Sequence, residues 1–170
     1  GSRMSRHTSV WLATADRPTY PRLDRDLDVD VAVVGGGITG LTTALLLQAR
    51  GAEVAVVEAD RVGARTTGRT TGKLSPQHGL HHHQIRSQAG EDVARTYAEA
   101  NQAAIATIER LAGECGDDCD LTRAPSYLWT LDPDRVQDLR DEDEAARGLG
   151  LPSTFTTDTD LPFEVAGAVR

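Results

Sequence analysis

The sequence of 170 residues lacks the features that would mark a membrane protein, a secreted protein or a general nucleic-acid-binding protein. No apolar run approaches the roughly 20 residues that cross a bilayer. No charged segment followed by an apolar leader precedes the main pattern, so we expect a cytoplasmic protein without membrane contact. The formal net charge of −8 gives no electrostatic basis for general binding to nucleic acid. A small-molecule site is therefore the expected function class.

Cysteine and lysine are also scarce. The two cysteines, Cys115 and Cys119, have a spacing unlike that of the usual structural zinc sites, so we predict reduced cysteines and no metal site. The consecutive histidines His81 to His83 do not change this prediction, because neighbouring helical positions point about 100° apart and cannot converge on one ion. Lys73 is the single lysine, against 17 arginines.

Residues 1–29 mix Arg, Asp and Pro with scattered apolar anchors. This composition predicts an irregular N-terminal arm that packs on a neighbour through its aromatic residues. Residues 1–3, ahead of Met4, resemble a cloning remnant and say nothing about the fold.

A strand-helix-strand unit is predicted from residue 29 to residue 58. Val29 to Val34 is a β-branched, nearly continuous apolar run, typical of a strand buried on both faces of a parallel sheet. Helical spacing continues from Ile38 to Arg50, and Gly51 stands where a left-handed cap would end the helix. Residues 53–58 repeat the strand pattern, so we expect the right-handed crossover that is usual for parallel strands.

The rest of the chain predicts further helices and strands. Residues 61–80 are rich in Gly and Thr and lack periodicity, and a loop of that length in a compact domain is more often functional than idle. The other expected elements are an amphipathic helix from Val93 to Leu111, a strand from Ser126 to Leu131, a helix opened by Asp132-Pro133 and ending near Gly148, and a last strand within 161–169.

The most specific motif lies between the first two strands. The segment Gly35-Gly36-Gly37-Ile38-Thr39-Gly40 follows a buried strand and opens a helix, and Glu58 follows Gly40 by eighteen residues at the end of the next strand. Gly35 would permit the tight turn, Gly37 would let a pyrophosphate approach the backbone, and Gly40 would let the helix lie close to the strand. This pattern predicts a dinucleotide-binding site.

The same motif assigns contacts to the ligand. The phosphates would meet the free N–H groups of Ile38 and Thr39 at the positive end of the helix dipole. Glu58 would accept hydrogen bonds from the adenosine ribose and would repel a 2′-phosphate, which disfavours NADP. FAD and NAD both remain open at this point.

Three segments resemble the glycine and D-amino-acid oxidase-like family of FAD-dependent oxidoreductases. They are Val31 to Gly40, Val54 to Asp60, and the run Gly63-Ala64-Arg65-Thr66-Thr67-Gly68-Arg69-Thr70-Thr71-Gly72-Lys73. The third segment favours FAD over NAD, because in that family the small and hydroxylated residues after the ribose acid run beneath the flavin. Residues 10–12 and 75–79 are similar to the subgroup that often bears an added C-terminal Rieske iron-sulfur domain.

The resemblance implies which residues contact FAD. The adenosine and pyrophosphate side would be held by Gly35, Gly37, Ile38, Thr39, Gly40, Glu58 and Ala59. The flavin side would be approached by Arg65, Thr66, Thr67, Thr71, Gly72, Lys73 and Leu74. Some relatives attach FAD covalently through a histidine at the position of Arg69. Arginine cannot form that bond, so we expect dissociable FAD.

The resemblance also implies an α/β fold. An incomplete, FAD-binding, Rossmann-like domain of the doubly wound type would occupy residues 30–120, and the start of a mixed-sheet substrate domain would occupy residues 121–170. In the family, residues that grip substrate lie mostly beyond the stretch seen here. The expected partners are therefore the missing C-terminal half or a homo-oligomer, together with a small amine or amino-acid substrate.

The implied reaction is oxidation of a carbon-nitrogen bond in an amine or amino acid, with hydride transfer to flavin. No catalytic residue can be named from the sequence. Lys73 is hypothesised to sit by the flavin, and His78 either lies near the ring or is a loop histidine bonded to backbone. The alternatives are an NAD-dependent dehydrogenase and a catalytically silent nucleotide-binding fragment.

Overall fold

The computed structural model describes residues 8–15, 18–114, 116 and 119–170. Packing divides the chain into two compact units, Gly1–Lys73 and Leu74–Arg170. This division follows packing and not function, so the functional division at residues 30 and 120 stays a prediction. Among the described residues, no helix has both the length and the apolar character needed to cross a membrane.

The first unit contains the predicted strand-helix-strand arrangement. Strand β1 (Val31–Val34) pairs in parallel with β2 (Val54–Val57), with Val31 opposite Val54 and Val34 opposite Val57. Helix α2 (Ile38–Gln48) connects the strands and packs against both. Gly51 follows the helix with a φ of +89°, a conformation that favours glycine, and this confirms the predicted left-handed position.

The predicted burial of the two strands on both faces is wrong for the described chain. Val34 is 88% exposed, and Val56 and Val57 are also exposed. The physical reason is that, within the first unit, α2 is the helix that packs on this two-stranded sheet, and one helix covers one face. A continuous apolar strand pattern is typical of burial on both faces, whereas α2 buries one face of these strands.

The N-terminal arm is partly helical, which corrects the prediction of an irregular segment. Helix α1 (Val10–Thr14) packs against a short 3-10 turn at Thr67–Arg69. Residues 18–30, which complete the described arm, contain no helix or strand. The expected contact through an aromatic residue is present within the chain, because Trp11 Nε1 donates a hydrogen bond to the Thr70 carbonyl at 2.8 Å.

The second unit contains three helices and a small antiparallel sheet, and the last of the three helices packs against the sheet. The helices are α3 (His81–Ala89), α4 (Glu91–Glu114) and α5 (Val136–Gly148). The strands are β3 (Leu128–Thr130), β4 (Phe155–Thr156) and β5 (Gly167–Val169), with β5 in the centre of the order β3-β5-β4. The predicted long helix, the strand near 126–131 and the strand within 161–169 are confirmed. The sequence reasoning did not predict α3 or β4.

The predicted start of a helix at Asp132-Pro133 is also confirmed, together with the predicted roles of these two residues. The Asp132 side chain accepts a hydrogen bond from the Asp134 N–H at 3.0 Å, and Pro133 opens a 3-10 turn that leads into α5. The core of this unit is small and built largely from alanine and leucine, with Ala94, Ala98, Ala146, Leu149 and Leu151 in one cluster.

Candidate functional site

Gly40 fixes how closely α2 approaches β1. A Cβ atom built on Gly40 would lie 2.0 Å from the Gly35 carbonyl oxygen and 3.3 Å from a methyl group of Val33. No side chain can be accommodated there without a backbone shift, so residue 40 has to be glycine. This is the close helix-strand approach that the sequence motif predicts.

Gly35 turns the chain at the end of β1. Its φ of +109° lies in the region that favours glycine, and its N–H donates to the Val57 carbonyl at 2.8 Å, which extends the strand pairing by one residue. Gly37 then caps α2 in an extended conformation, without a side chain of its own. The turn therefore leaves the start of α2 open to a ligand, apart from one neighbour, Thr67.

Thr67 reaches the start of α2 from the later loop. Its Oγ1 accepts a hydrogen bond from the Ile38 N–H at 2.9 Å, and a Cβ on Gly37 would lie 3.3 Å from the same oxygen. The sequence reasoning assigned Thr67 to the flavin side and Ile38 to the phosphate side. The structure brings the two residues together, so the prediction of a free Ile38 N–H is wrong, because that group is bonded to the Thr67 hydroxyl.

Glu58 connects the end of β2 to the glycine turn. One carboxylate oxygen accepts the Gly36 N–H at 2.7 Å, and the other accepts the Asp60 N–H at 2.9 Å. These N–H groups, that of Gly36 first, lower the pKa of Glu58 below its ordinary value. Because a carboxylate has about four acceptor positions, it retains capacity for ribose hydroxyls after these two bonds.

Residues 63–72 form the loop that carries most of the predicted flavin-side residues, and we call it the 63–72 loop. It is tied to the glycine turn where the Gly63 N–H donates to the Gly36 carbonyl at 2.9 Å. Its arginines are turned to local partners, since Arg69 donates to the Ala64 carbonyl at 2.8 Å and Arg65 lies 3.8 Å from the Asp60 carboxylate. Gly68 is buried, whereas Arg65 and Arg69 are exposed.

The remaining predicted site residues are exposed to solvent. The exposed ones are Ala59, Thr66, Thr71, Gly72, Lys73 and Leu74, and Thr39 is exposed in the first turn of α2. Leu74 is also the first residue of the second packing unit. The structure therefore brings together Gly35, Gly37, Ile38, Gly40, Glu58 and Thr67 through direct bonds or close approach, as described above. The flavin-side assignments stay predictions.

The histidines lie in the second unit and have separate surroundings. His82 is buried and its Nδ1 lies 2.7 Å from Glu142 Oε1, while His81 and His83 are exposed. The N–H groups of His82 and His83 donate to the same carboxylate at 3.2 and 2.8 Å, so Glu142 caps the first turn of α3. His82 Nε2 is buried without a hydrogen-bond partner among the described residues. His78 lies with its Nδ1 2.5 Å from the Tyr97 hydroxyl, so its recorded partner is a side chain and not backbone.

Two features near the glycine turn escaped the sequence reasoning. One is the position of Thr67 at the start of α2, and the other is the seat of α1 on the 63–72 loop through Trp11 and Leu12. Neither has a local sequence signal, because the bonded residues are far apart in the chain. The composition of the N-terminal arm predicted a contact through its aromatic residues, but it did not predict that the 63–72 loop is the partner.

Comparison of the sequence with known proteins finds a matching family. The family model described as FAD dependent oxidoreductase (DAO) matches residues 30–168, which is most of the chain and includes every residue of the glycine turn. No solved structure matches the chain significantly.

Three curated relatives illustrate the similarity. The chain is 38% identical over 155 residues to a Bacillus subtilis (strain 168) protein that carries the name Rieske 2Fe-2S iron-sulfur protein YhfW, covering 91% of this chain and 30% of that protein. It is 38% identical over 94 residues to gamma-glutamylputrescine oxidoreductase of Escherichia coli (strain K12), covering 54% of this chain and 22% of that protein. It is 30% identical over 132 residues to the oxidoreductase OrdL of Haemophilus influenzae (strain ATCC 51907 / DSM 11121 / KW20 / Rd), covering 77% of this chain and 30% of that protein. The chain thus spans less than a third of the length of these relatives.

Proposed function

The chain belongs to the FAD dependent oxidoreductase family, and from that premise we propose that its residues 31–73 bind FAD in a protein that oxidises a carbon-nitrogen bond of an amine or amino acid. The observation that carries the proposal is the approach of Gly40 to Gly35. A Cβ on Gly40 would lie 2.0 Å from the Gly35 oxygen, so α2 begins close against the end of β1, which is the strand-turn-helix geometry of a dinucleotide-binding site.

The residues of the turn fit the adenosine and pyrophosphate half of FAD. Gly37 has no side chain to block the approach of a phosphate, and the first turn of α2 supplies N–H groups at the positive end of the helix dipole. Gly35 and Gly40 shape the turn, and the backbone of Ile38, Thr39 and Ala59 completes this half of the proposed site. A threonine hydroxyl can accept and donate at once, so Thr67 can keep the Ile38 bond and offer its own proton to a phosphate oxygen.

Glu58 is proposed to recognise the adenosine ribose. Its carboxylate is oriented by Gly36 and Asp60, whose N–H groups lower its pKa below its ordinary value, so it is fully ionised at neutral pH. Charged hydrogen-bond acceptors bind hydroxyl groups more strongly than neutral acceptors do. The same charge repels a 2′-phosphate, so the proposal excludes NADP as the preferred ligand.

The flavin half of the site is proposed for the residues that follow the ribose acid. Backbone and hydroxyl groups of Thr66, Thr67, Thr71 and Gly72 would line it, with Arg65, Lys73 and Leu74 at its edges. Lys73 supplies a positive charge that would favour an anionic reduced ring if it lies beside the ring. Arg69 stands where some relatives carry a histidine for covalent attachment, so the proposal specifies dissociable FAD.

FAD, when bound, supplies the chemistry by accepting a hydride from the carbon-nitrogen bond that is oxidised. The task of this chain is to bind and orient the cofactor, and no residue of the chain is assigned as a catalytic base. The substrate class rests on the family and on the name of the Escherichia coli relative, an oxidoreductase of gamma-glutamylputrescine. We propose that the rest of a longer polypeptide, or an associated copy, contributes the substrate contacts.

The experiment that tests this proposal is a ligand titration. The protein is stripped of bound nucleotide, and FAD, NAD and NADP are titrated separately while calorimetry and the visible absorbance spectrum are recorded. Saturable binding of FAD with perturbed flavin bands, together with weaker binding of NAD and NADP, is expected. Preferential binding of NAD would favour the dehydrogenase alternative, and no binding of any dinucleotide would overturn the proposal. After acid denaturation, all the flavin should appear in the supernatant.

A further inference from the structure

Helix α1 makes a directed contact with the 63–72 loop. Trp11 Nε1 donates to the Thr70 carbonyl at 2.8 Å, although the two residues are 59 positions apart. The indole ring also covers Gly72, where a Cβ would lie 2.6 Å from Trp11 Cζ2. Gly72 has a φ of +72°, so both its conformation and the space beside it suit glycine.

Leu12 makes a second contact with the same loop. Gly68 is buried, and a Cβ built on it would lie 2.5 Å from Leu12 Cδ2 and 2.2 Å from the Gly63 carbonyl oxygen. Two glycines of the loop are therefore matched to two side chains of one short helix. The two side chains of α1 occupy the space that the loop glycines leave free. This complementary packing fixes the loop in one position.

The loop has few means of its own to hold that position. Its regular structure is a 3-10 turn at Thr67–Arg69, and its other backbone bonds include one from Ala64 to Arg61 and one from Gly63 to Gly36. An irregular segment of this kind has a high conformational entropy when it is not held by tertiary contacts. The ordered loop is also what places Thr67 at the Ile38 N–H.

We propose that Trp11 and Leu12 are positioning residues for the cofactor site. They hold the 63–72 loop in one position within the first unit. They thereby keep the Thr67 hydroxyl at the start of α2. This inference rests on the proposed function for the identity of the ligand, FAD. It goes beyond that function by assigning a binding role to an N-terminal helix that contains none of the predicted cofactor contacts.

The test compares Trp11→Ala, Trp11→Phe and Leu12→Ala with Trp129→Phe as the matched control. Trp129 is 42% exposed and packs edge-to-face on Phe163 in the second unit, whereas Trp11 is 43% exposed, so the control removes an equally exposed indole elsewhere. Two quantities are measured: the rate of tryptic cleavage after Arg65 and Arg69 without FAD, and the dissociation constant for FAD. Thermal unfolding and circular dichroism verify that each variant is folded.

We expect Trp11→Ala to raise both the cleavage rate and the FAD dissociation constant, by factors whose product exceeds about fivefold, because the lost hydrogen bond alone lowers the ratio of ordered to open loop about fivefold and the ring that covers Gly72 is lost as well. Trp11→Phe, which retains a ring but no donor, should have a smaller effect, and Trp129→Phe should have none. Unchanged cleavage, or faster cleavage with unchanged FAD affinity, would overturn the positioning role. If the wild-type protein binds no FAD but cleavage still accelerates, the loop contact stands and the proposed function fails.

Discussion

Glu58 and Gly36 are joined directly, because the Gly36 N–H donates to Glu58 Oε2 at 2.7 Å. The residue proposed to recognise the ribose is therefore also a support for the glycine turn. A substitution at Glu58 should therefore affect two parts of the site at once, the ribose contact and the glycine turn.

We expect Glu58→Ala to weaken FAD binding about tenfold or more, because the ribose loses a charged acceptor and Gly36 and Asp60 lose theirs. Glu58→Gln should weaken binding less, since an amide keeps one acceptor oxygen and nearly the same shape. A fluorescence titration of FAD gives both constants. Glu99→Gln, at an exposed position of α4, is the control, and an unchanged affinity in Glu58→Ala would remove Glu58 from the site.

The stability of the first unit should depend on pH through Glu58. Backbone hydrogen bonds, that of Gly36 first, hold the pKa of Glu58 below its ordinary value of 4.5 in the folded state. The ionised carboxylate therefore stabilises the folded state at pH above that ordinary value, and this contribution is lost as the pH falls through the lower, folded pKa. The effect should be small, because the group is exposed to solvent screening.

The measurement is the urea midpoint of unfolding followed by Trp11 fluorescence in a Trp129→Phe background, between about pH 5 and pH 3. The wild-type midpoint should fall more steeply with decreasing pH than that of Glu58→Gln, which cannot ionise at this position. Parallel pH profiles would show that the carboxylate bonds to Gly36 and Asp60 do not influence folding.

Thr67→Val should lower FAD affinity about fivefold, because valine has nearly the same shape but cannot accept from Ile38 or donate to a phosphate. Calorimetric titration of FAD measures the change. Thr107→Val is a suitable control, since that hydroxyl bonds to the Ala103 carbonyl one turn earlier in α4. Equal FAD affinity in wild type and Thr67→Val would mean that Thr67 lies outside the binding site.

Glu142→Ala should destabilise the second unit by about 3 kcal/mol, because it removes the acceptor from the buried His82 ring and from two N–H groups at the start of α3. Urea unfolding monitored by Trp129 fluorescence in a Trp11→Phe background tests this. Glu144→Gln lies on the same helix but has a side chain that is 78% exposed, so it should change stability little. A loss in Glu142→Ala no larger than in Glu144→Gln would contradict the capping role.

The sequence predicted those parts of the site that local spacing encodes. Gly35, Gly40 and Glu58 were found because a strand, a tight turn, a helix and a strand-end acid follow one another at fixed intervals. The bonds of Thr67 to Ile38 and of Trp11 to Thr70 join residues 29 and 59 positions apart, and no periodicity specifies such contacts. The Glu142 cap on α3 was not predicted for the same reason, because Glu142 and His82 are 60 positions apart in the chain.

The prediction that the strands are buried on both faces failed for a different reason. The apolar composition of Val31 to Val34 correctly indicated a strand, but the pattern cannot say which elements cover its two faces. The exposed Val34 side chain shows that one covering layer is absent from the described residues. Helix α3 was missed because its first turn is three polar histidines, and its cap is supplied by a distant carboxylate instead of a local Ser, Thr or Asp.

The account depends most directly on the glycine turn as an FAD site, and Gly40→Ala tests it. An added Cβ would lie 2.0 Å from the Gly35 oxygen, whereas an added Cβ at Gly113, in a helical conformation within α4, would meet nothing within 4 Å. The FAD dissociation constant is measured by titration for wild type, Gly40→Ala and Gly113→Ala, with circular dichroism to verify folding. We predict that Gly40→Ala loses measurable FAD binding while Gly113→Ala binds FAD as wild type does. A folded Gly40→Ala protein with the wild-type affinity for FAD would contradict the account.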